Sequence, residues 1–290
     1  MSLDHKKWLK SRISGKGAML VPGVMNALAA RIADDLGYEA LYVTGAGLSN
    51  AYLGLPDVAF LTLSQIADHV AMIRNITDKP LIVDGDTGFG NAVNVWHTIR
   101  TFERAGASAV QIEDQHFPKR CGHFDGKGVV SYNEMVQKVR AAVDARTDQD
   151  LQIIARTDAY ATDGLSAAID RANAYLEAGA DMVFVEAPKD RGDIEAIIQQ
   201  VQAPHVVNLV IGGKTKPISF DELNEMGAAV VLYANAALQG AILGMQHALG
   251  QLKKDGVLTE AEGLVATFQE RQRLVAMKVV EALERTYASD

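Results

Sequence analysis

A single (β/α)8 TIM-type barrel is the fold class predicted for this 290-residue chain. Three features predict it: short apolar runs recur along the sequence, a stretch able to form a helix follows each, and a helix-ending glycine repeatedly leads into the next run. With 48% hydrophobic and 22% charged residues, the chain is long enough for one large domain with a substantial core. Near-continuous apolar strands alternating with amphipathic helices imply a parallel sheet buried on both faces, and eight such units imply closure into a barrel. An open doubly wound sheet is the alternative; no glycine-rich phosphate fingerprint follows the first run to favour it.

In chain order the runs are "AMLVPG" from Ala18, "LGYEALYVTG" from Leu36, "PLIVDGD" from Pro80 and "ERAGASAVQIED" from Glu103. "LQIIARTD" from Leu151, "LEAGADMVFVEA" from Leu176, "HVVNLVI" from His205 and "NEMGAAVVLYAN" from Asn224 complete them. Val, Ile and Leu dominate each run, as strands require. Gly37, Gly106, Gly179 and Gly227 suit the left-handed position that ends a helix without a Cβ penalty. One connection is long, from Asp114 to about Ser131, and such loops are commonly lids or binding loops. From about Ala236 to Ala288 there is more helix than a closing eighth helix needs. Its apolar positions Val265, Phe268, Leu274 and Val279 point to a subunit interface. One domain over 1–290 is expected, with 236–290 as extra C-terminal helices.

Charge and targeting narrow the function. A net charge of −8 and a pI near 5.4 lack the basic footprint of a nucleic-acid binder. No apolar run approaches a membrane span, and "MSLDHKKWLKSR" has no apolar signal core. A cytoplasmic protein is expected. The single cysteine, Cys121, cannot make an internal disulfide, which leaves a buried small hydrophobe or a reactive thiol.

In a barrel the carboxyl ends of the strands form the active-site mouth. Here they carry Tyr42, Thr44 and Gly45, then Asp84 and Asp86, Glu113 and Asp114, Arg156 and Asp158, Glu186, Asn208, and Tyr233 with Asn235. Asp84 and Asp86 are two apart and face the same way on a strand, with Glu113 ending the next run. Three converging carboxylates raise one another's pKa unless a cation offsets them. A hard divalent ion resolves this: Mg²⁺, which keeps several waters, with Mn²⁺ able to substitute. The alternative is that these acids cap helices or pair with Lys and Arg. Arg156 can grip a substrate carboxylate bidentately, or serve as partner to Asp158 or Glu186. Tyr42 and Thr44 either line the site or pack core and turn. In "PKRCGHFDGKG", Lys119, Arg120 and His123 would favour a thiolate at Cys121, and glycines let the loop fold down over a ligand.

Together, "VTGAGLSN", "LPD", "DGDTGFGNAVNV", "IEDQHFPKRCGH", "IARTDA" and "GADMVFVEAP" resemble the isocitrate lyase / phosphoenolpyruvate mutase superfamily over nearly the whole chain. "KRCGH" resembles its carbon–carbon lyases, those acting on isocitrate, 2-methylisocitrate and 2,3-dimethylmalate. The resemblance implies that Asp84, Asp86 and Glu113 hold Mg²⁺ directly or through water, supported by Asp57. It also implies that Tyr42, Thr44, Gly45 and Ala46 line a 2-oxoacid site, while Arg156, Glu186 and Asn208 contact substrate or metal waters. The implied reaction is retro-aldol cleavage of a 2-hydroxy di- or tricarboxylate to pyruvate or glyoxylate plus a carboxylate. Cys121 is then the general acid, tuned by His123 and Arg120, with Tyr42 as candidate base. A small carboxylic acid is the expected partner, and the expected assembly is a homo-oligomer, a tetramer built as a dimer of dimers.

Two departures bear on substrate. Where the lyases carry a Glu after Asn208, this chain has Ile211, and Lys216 is inserted before Pro217. Ile211 is expected to enlarge or dry the pocket far from the metal and to favour alkylmalates over isocitrate. "LYANAAL" resembles the mutase and oxaloacetate-acting branches instead. A phosphonomutase, a phosphonopyruvate- or oxaloacetate-acting enzyme is therefore the alternative, and a non-enzymatic binding protein is a third class.

Overall fold

The computed structural model describes residues 4–122 and 126–288. The eight apolar runs become eight parallel strands: β1 (Met19–Val24), β2 (Leu41–Val43), β3 (Leu81–Asp84), β4 (Ala109–Glu113), β5 (Gln152–Thr157), β6 (Met182–Val185), β7 (His205–Asn208) and β8 (Val230–Tyr233). They pair in chain order and close into a barrel through β1 and β8, with Met19 opposite Val230 and Val21 opposite Leu232. Nearly every strand residue is buried, which is why these runs are apolar throughout rather than alternating. Successive side chains point in opposite directions. One set, including Met19, Val21, Tyr42, Ile82, Ile154, Met182 and Phe184, fills the barrel interior. The other, including Val43, Val83, Val110 and Ile153, packs under the helices against Ile66, Val95, Phe102 and Val139. The first helix, His5–Ile13, adds Leu9 and Ile13 to the interior cluster and so closes the barrel's amino-terminal end.

Gly37, Gly106, Gly179 and Gly227 have φ of 84°, 101°, 105° and 99°, the left-handed turn expected of them. Two stretches of the chain have no counterpart in the sequence expectation. After β2 the chain coils at once into a short helix, Gly45–Leu48, and a π-helical turn, Ser49–Leu53. After β5, the helix Ala159–Asp163 precedes the main helix Leu165–Glu177. Both sit at the mouth of the barrel, where a strand end is followed by residues that cap and turn rather than by a plain link.

The long connection is tied at its stems. Gln115 and Val129 form an antiparallel bridge, His116 N donates to Gly128 O at 2.9 Å and Val130 N to Asp114 O at 2.8 Å, and the Phe117–Pro118 peptide is cis. Its tip carries Lys119 to Gly122 onto the carboxyl ends of the strands.

The surplus C-terminal chain is helical as expected: Ala236–Asp255, Phe268–Leu274 and Met277–Thr286. Of the long helix only Leu238 is buried, while Leu243, Met245 and Leu249, then Phe268, Val279 and Leu283 further on, are exposed. Among the described residues no helix is long and apolar enough to cross a membrane.

Candidate active site

A narrow cleft, with about 30 Å³ of free volume left between its side chains, opens at the carboxyl ends of the strands. Tyr42, Thr44, Ala46, Asp57, Asp84, Lys119, Arg120, Cys121, Arg156, Glu186 and Asn208 all line it. Gly45, Asp86 and Glu113 lie directly behind: a Cβ built on Gly45 would stand 3.1 Å from Asp84 Oδ2 and 3.3 Å from Asp86 Oδ1. His123 lies outside the described residues.

The carboxylates are held from several strands. Asp84 ends β3; its Oδ1 accepts from Asp86 N and from Gln111 Nε2, each at 3.2 Å, and its Oδ2 accepts from Gly45 N at 3.3 Å. Thr44 caps the turn that brings Gly45 there, its hydroxyl accepting from Gly47 N. Asp86 takes φ of 47°, a strained value for a residue with a side chain. Lys119 reaches down from the loop to both Asp57 oxygens at 2.6 and 2.7 Å and to Asp86 Oδ1 at 2.8 Å. Burial lowers the charge preference of Lys119, but Asp86, Asp57 and Glu113 outweigh it and hold the ammonium protonated well above the usual lysine range. Burial, opposed by Lys119 and reinforced by Asp84, pushes Asp86 up to about 6. Burial likewise pushes Glu113 well above the ordinary carboxylate value despite Arg156.

Two buried carboxylate oxygens here, Asp86 Oδ1 and Glu113 Oε1, have no hydrogen-bond partner. Asp86 Oδ1 lies within ion-pair reach of Lys119, at 2.8 Å. Among the described residues no three His, Cys, Asp or Glu side chains form a metal-holding group by themselves. The donor chemistry nonetheless fits a hard divalent cation: oxygen-only, negatively charged, and with lone pairs left over, as suits an ion that keeps most of its water.

Arg156, at the end of β5, organises the opposite side. Its Nε and Nη2 donate to Asp158 at 2.9 and 3.2 Å, Glu113 Oε2 lies 3.3 Å from Nε, and Glu186 Oε1 lies 3.6 Å from Nη2. The guanidinium also sits 5.2 Å over the Phe184 ring. Burial opposes its charge, but Asp158, Glu113 and Glu186 prevail, so it stays protonated. Asn208, at the end of β7, has a buried Oδ1 without a partner, an acceptor facing the cleft.

Three expectations are corrected. Tyr42 keeps its proton: burial and the nearby Asp84 push the phenol well above its usual range, and its hydroxyl donates to Gln111 Oε1 at 2.8 Å, so it is a poor base. Lys119 is turned into the carboxylates rather than toward the thiol. Ile211 is 53% exposed and is not in the wall of the cleft; Val210, Phe184, Leu232 and Ala234 supply that apolar wall. Cys121 does line the cleft, held through its N–H on Asp57 O at 3.3 Å.

Sequence reasoning missed Gln111, which ties Tyr42 to Asp84, and Lys127, whose buried ammonium lies 2.7 Å from Asp158. A Gln in the middle of an apolar strand was the available signal for the first. Asn235, which follows β8 at the N-cap of the helix Ala236–Asp255 and lines the cleft, was read as a strand end but given no role.

The phosphoenolpyruvate phosphomutase family model matches residues 9–253. The chain is 37% identical over 281 residues to 2,3-dimethylmalate lyase of Eubacterium barkeri, covering 97% of both chains. It is 40% identical over 248 residues to 2-methylisocitrate lyase of Aeropyrum pernix, covering 86% of this chain and 80% of the other. Among solved structures, an oxaloacetate acetylhydrolase in complex with the inhibitor 3,3-difluorooxalacetate superposes with a TM-score of 0.93 at 31% identity, covering 99% of this chain and 97% of that one. Matched along its length in sequence and fold, with its acidic strand ends and loop thiol gathered in one cleft, the chain belongs to the phosphoenolpyruvate mutase / isocitrate lyase enzyme superfamily.

Proposed function

We propose that this protein is a divalent-cation-dependent carbon–carbon lyase that cleaves a 2-hydroxy di- or tricarboxylate, of the 2,3-dimethylmalate or 2-methylisocitrate kind, into a 2-oxoacid and a carboxylate. One observation carries it beyond the relatives' names: the only cysteine of the chain lines the same cleft as Arg156 and the buried carboxylates. A thiol there has a use in a lyase, because a fragment leaving with its bonding electrons must be protonated at carbon.

Asp84, Asp86 and Glu113 would hold Mg²⁺ or Mn²⁺, with water completing the shell, and Asp57 supports them through Lys119. A cation held there would supply Lewis-acid stabilisation of negative charge developing on the substrate's oxygen. Arg156 receives a substrate carboxylate, with Asn208 and Glu186 beside it and the Thr44–Ala46 turn as the wall opposite. The bond between the hydroxyl-bearing carbon and its neighbour then breaks. The first carbon becomes the carbonyl of the 2-oxoacid as its hydroxyl proton passes to a buried carboxylate of the strand ends, Glu113 or Glu186, while the second takes the bonding pair and is protonated by Cys121 Sγ, whose thiolate regains a proton from that carboxylate through solvent as the products leave. Tyr42, itself protonated, orients Gln111 and Asp84 and is not the acceptor of the hydroxyl proton. The loop tip excludes water, so the carbanion meets the thiol first.

Substrates follow from the wall. Val210, Phe184, Leu232 and Ala234 give the cleft an apolar part, against which an alkyl substituent can pack. A second reading, action on oxaloacetate, is supported by the likeness to oxaloacetate acetylhydrolase. Incubation with 2,3-dimethylmalate, 2-methylisocitrate, isocitrate, oxaloacetate and phosphonopyruvate separates them: pyruvate or glyoxylate from an alkylated hydroxy acid is expected, and oxalate with acetate as sole products would transfer the assignment.

The exposed apolar positions of the three C-terminal helices support a homo-oligomer, a dimer of dimers, in which another copy covers them. A single working thiol suits a reducing, cytoplasmic setting.

A further inference from the structure

Cys121 and Gly122 sit against Arg156 and Glu186 with no room to spare. A Cβ on Gly122 would come within 2.4 Å of Arg156 Nη2 and 2.3 Å of Glu186 Oε1, so the loop backbone lies directly on the pair that receives the substrate carboxylate. What keeps it there comes from five residues further along the same loop. The Lys127 ammonium donates to the Gly122 carbonyl and to Asp158 Oδ1, the latter at 2.7 Å. The Lys127 and Asp158 side chains are 2% and 0% exposed. Asp158 is itself immobile: its N–H donates to Asp114 Oδ1 at 2.9 Å, and its carboxylate takes both Arg156 donors.

We propose that Lys127 is a positioning residue for the reaction: anchored on Asp158, it locks the Cys121–Gly122 backbone over the cleft, directly against Arg156 and Glu186. Two cations share one buried carboxylate. If Lys127 is removed, the Gly122 carbonyl loses its donor and the loop backbone is no longer tied to Asp158. The thiol's place is then disturbed by one side chain that touches neither substrate nor metal. Displacement of a reacting group by about 1 Å can cost about 10²-fold in rate, and that is the scale expected here.

The proposal rests on the lyase reading for its catalytic half, so the test has one readout that needs no substrate. Because Cys121 is the only cysteine, its alkylation by iodoacetamide reports the loop unambiguously. Lys127→Met should raise the alkylation rate about tenfold or more, and lower kcat by about 10²-fold with KM raised as well. Lys127→Arg should recover much of both. A purely structural ion pair would instead cost stability and leave alkylation of the folded protein unchanged. Should Lys127→Met fail to fold, the double variant Lys127→Met with Asp158→Asn leaves no buried charge without a partner. Compared with Asp158→Asn alone, it should still show faster alkylation and lower kcat. Alkylation of folded Lys127→Met at the wild-type rate, or a double variant indistinguishable from Asp158→Asn, would overturn the proposal. Faster alkylation without turnover of any 2-hydroxy acid would leave Lys127's role standing and remove the lyase reading instead.

Discussion

Lys119 and Lys127 stand eight positions apart around one thiol, and each is held by buried carboxylates: Lys119 by Asp57 and Asp86, Lys127 by Asp158. Sequence reasoning placed Lys119 beside Cys121 and passed over Lys127, because where a loop lysine turns depends on the path of the backbone and on which carboxylates lack partners. Strand ends were easier, because their facing follows a period of two, and Asp84, Arg156 and Asn208 all meet in the cleft. At this scale Cys121→Ser, which keeps size and loses acidity, should lower kcat by about 10²- to 10⁴-fold with little change in KM, measured by steady-state kinetics on the best alkylmalate. Asp86 gives a pH dependence. Its folded pKa of about 6 lies above the ordinary 3.8, so the metal-free protein is favoured below pH 3.8, and that contribution fades as pH rises through about 6. Protons and a divalent cation then compete for the same oxygen. The rise in melting temperature on adding Mg²⁺ should be larger at pH 7.5 than at pH 5.5; equal rises would remove Asp86 from the cation site.

Among elements, the eight strands were fully legible, because burial on both faces demands unbroken apolar runs that periodicity displays directly. The helix-ending glycines were legible for the same local reason, as a left-handed turn tolerates little else. The turn Gly45–Leu48 and the helix Ala159–Asp163 were not, since what fixes them is the closure of the mouth. Ile211 shows the same limit: its place in the sequence suggested a wall residue, but the link after β7 turns it outward. The loop tip offers the sharpest test of element placement. Gly122→Ala should leave the melting temperature nearly unchanged and lower kcat at least tenfold, because the added methyl meets Arg156 and Glu186 and must lift the loop. Wild-type kcat in that variant would show that the loop works further from the cleft than it sits here.

For the whole molecule, a closed barrel satisfies every strand edge, yet its last helices leave Phe268, Val279 and Leu283 at 63%, 59% and 50% exposed. Scattered apolar residues are ordinary on a surface, but several gathered on consecutive helices mark an interaction face. Sedimentation equilibrium at micromolar concentration should give a stable oligomer, and Phe268→Glu together with Leu283→Glu should dissociate it; a monomeric wild type would contradict the assembly. The central claim concerns the bond that breaks. Run in D₂O with Mg²⁺ and 2,3-dimethylmalate or 2-methylisocitrate, the reaction should release pyruvate and a carboxylate bearing one deuterium at the carbon freed by cleavage, as read by mass spectrometry, and both products should fall together in Cys121→Ser. Absence of pyruvate from either substrate, or a carboxylate product without deuterium at that carbon, would contradict it.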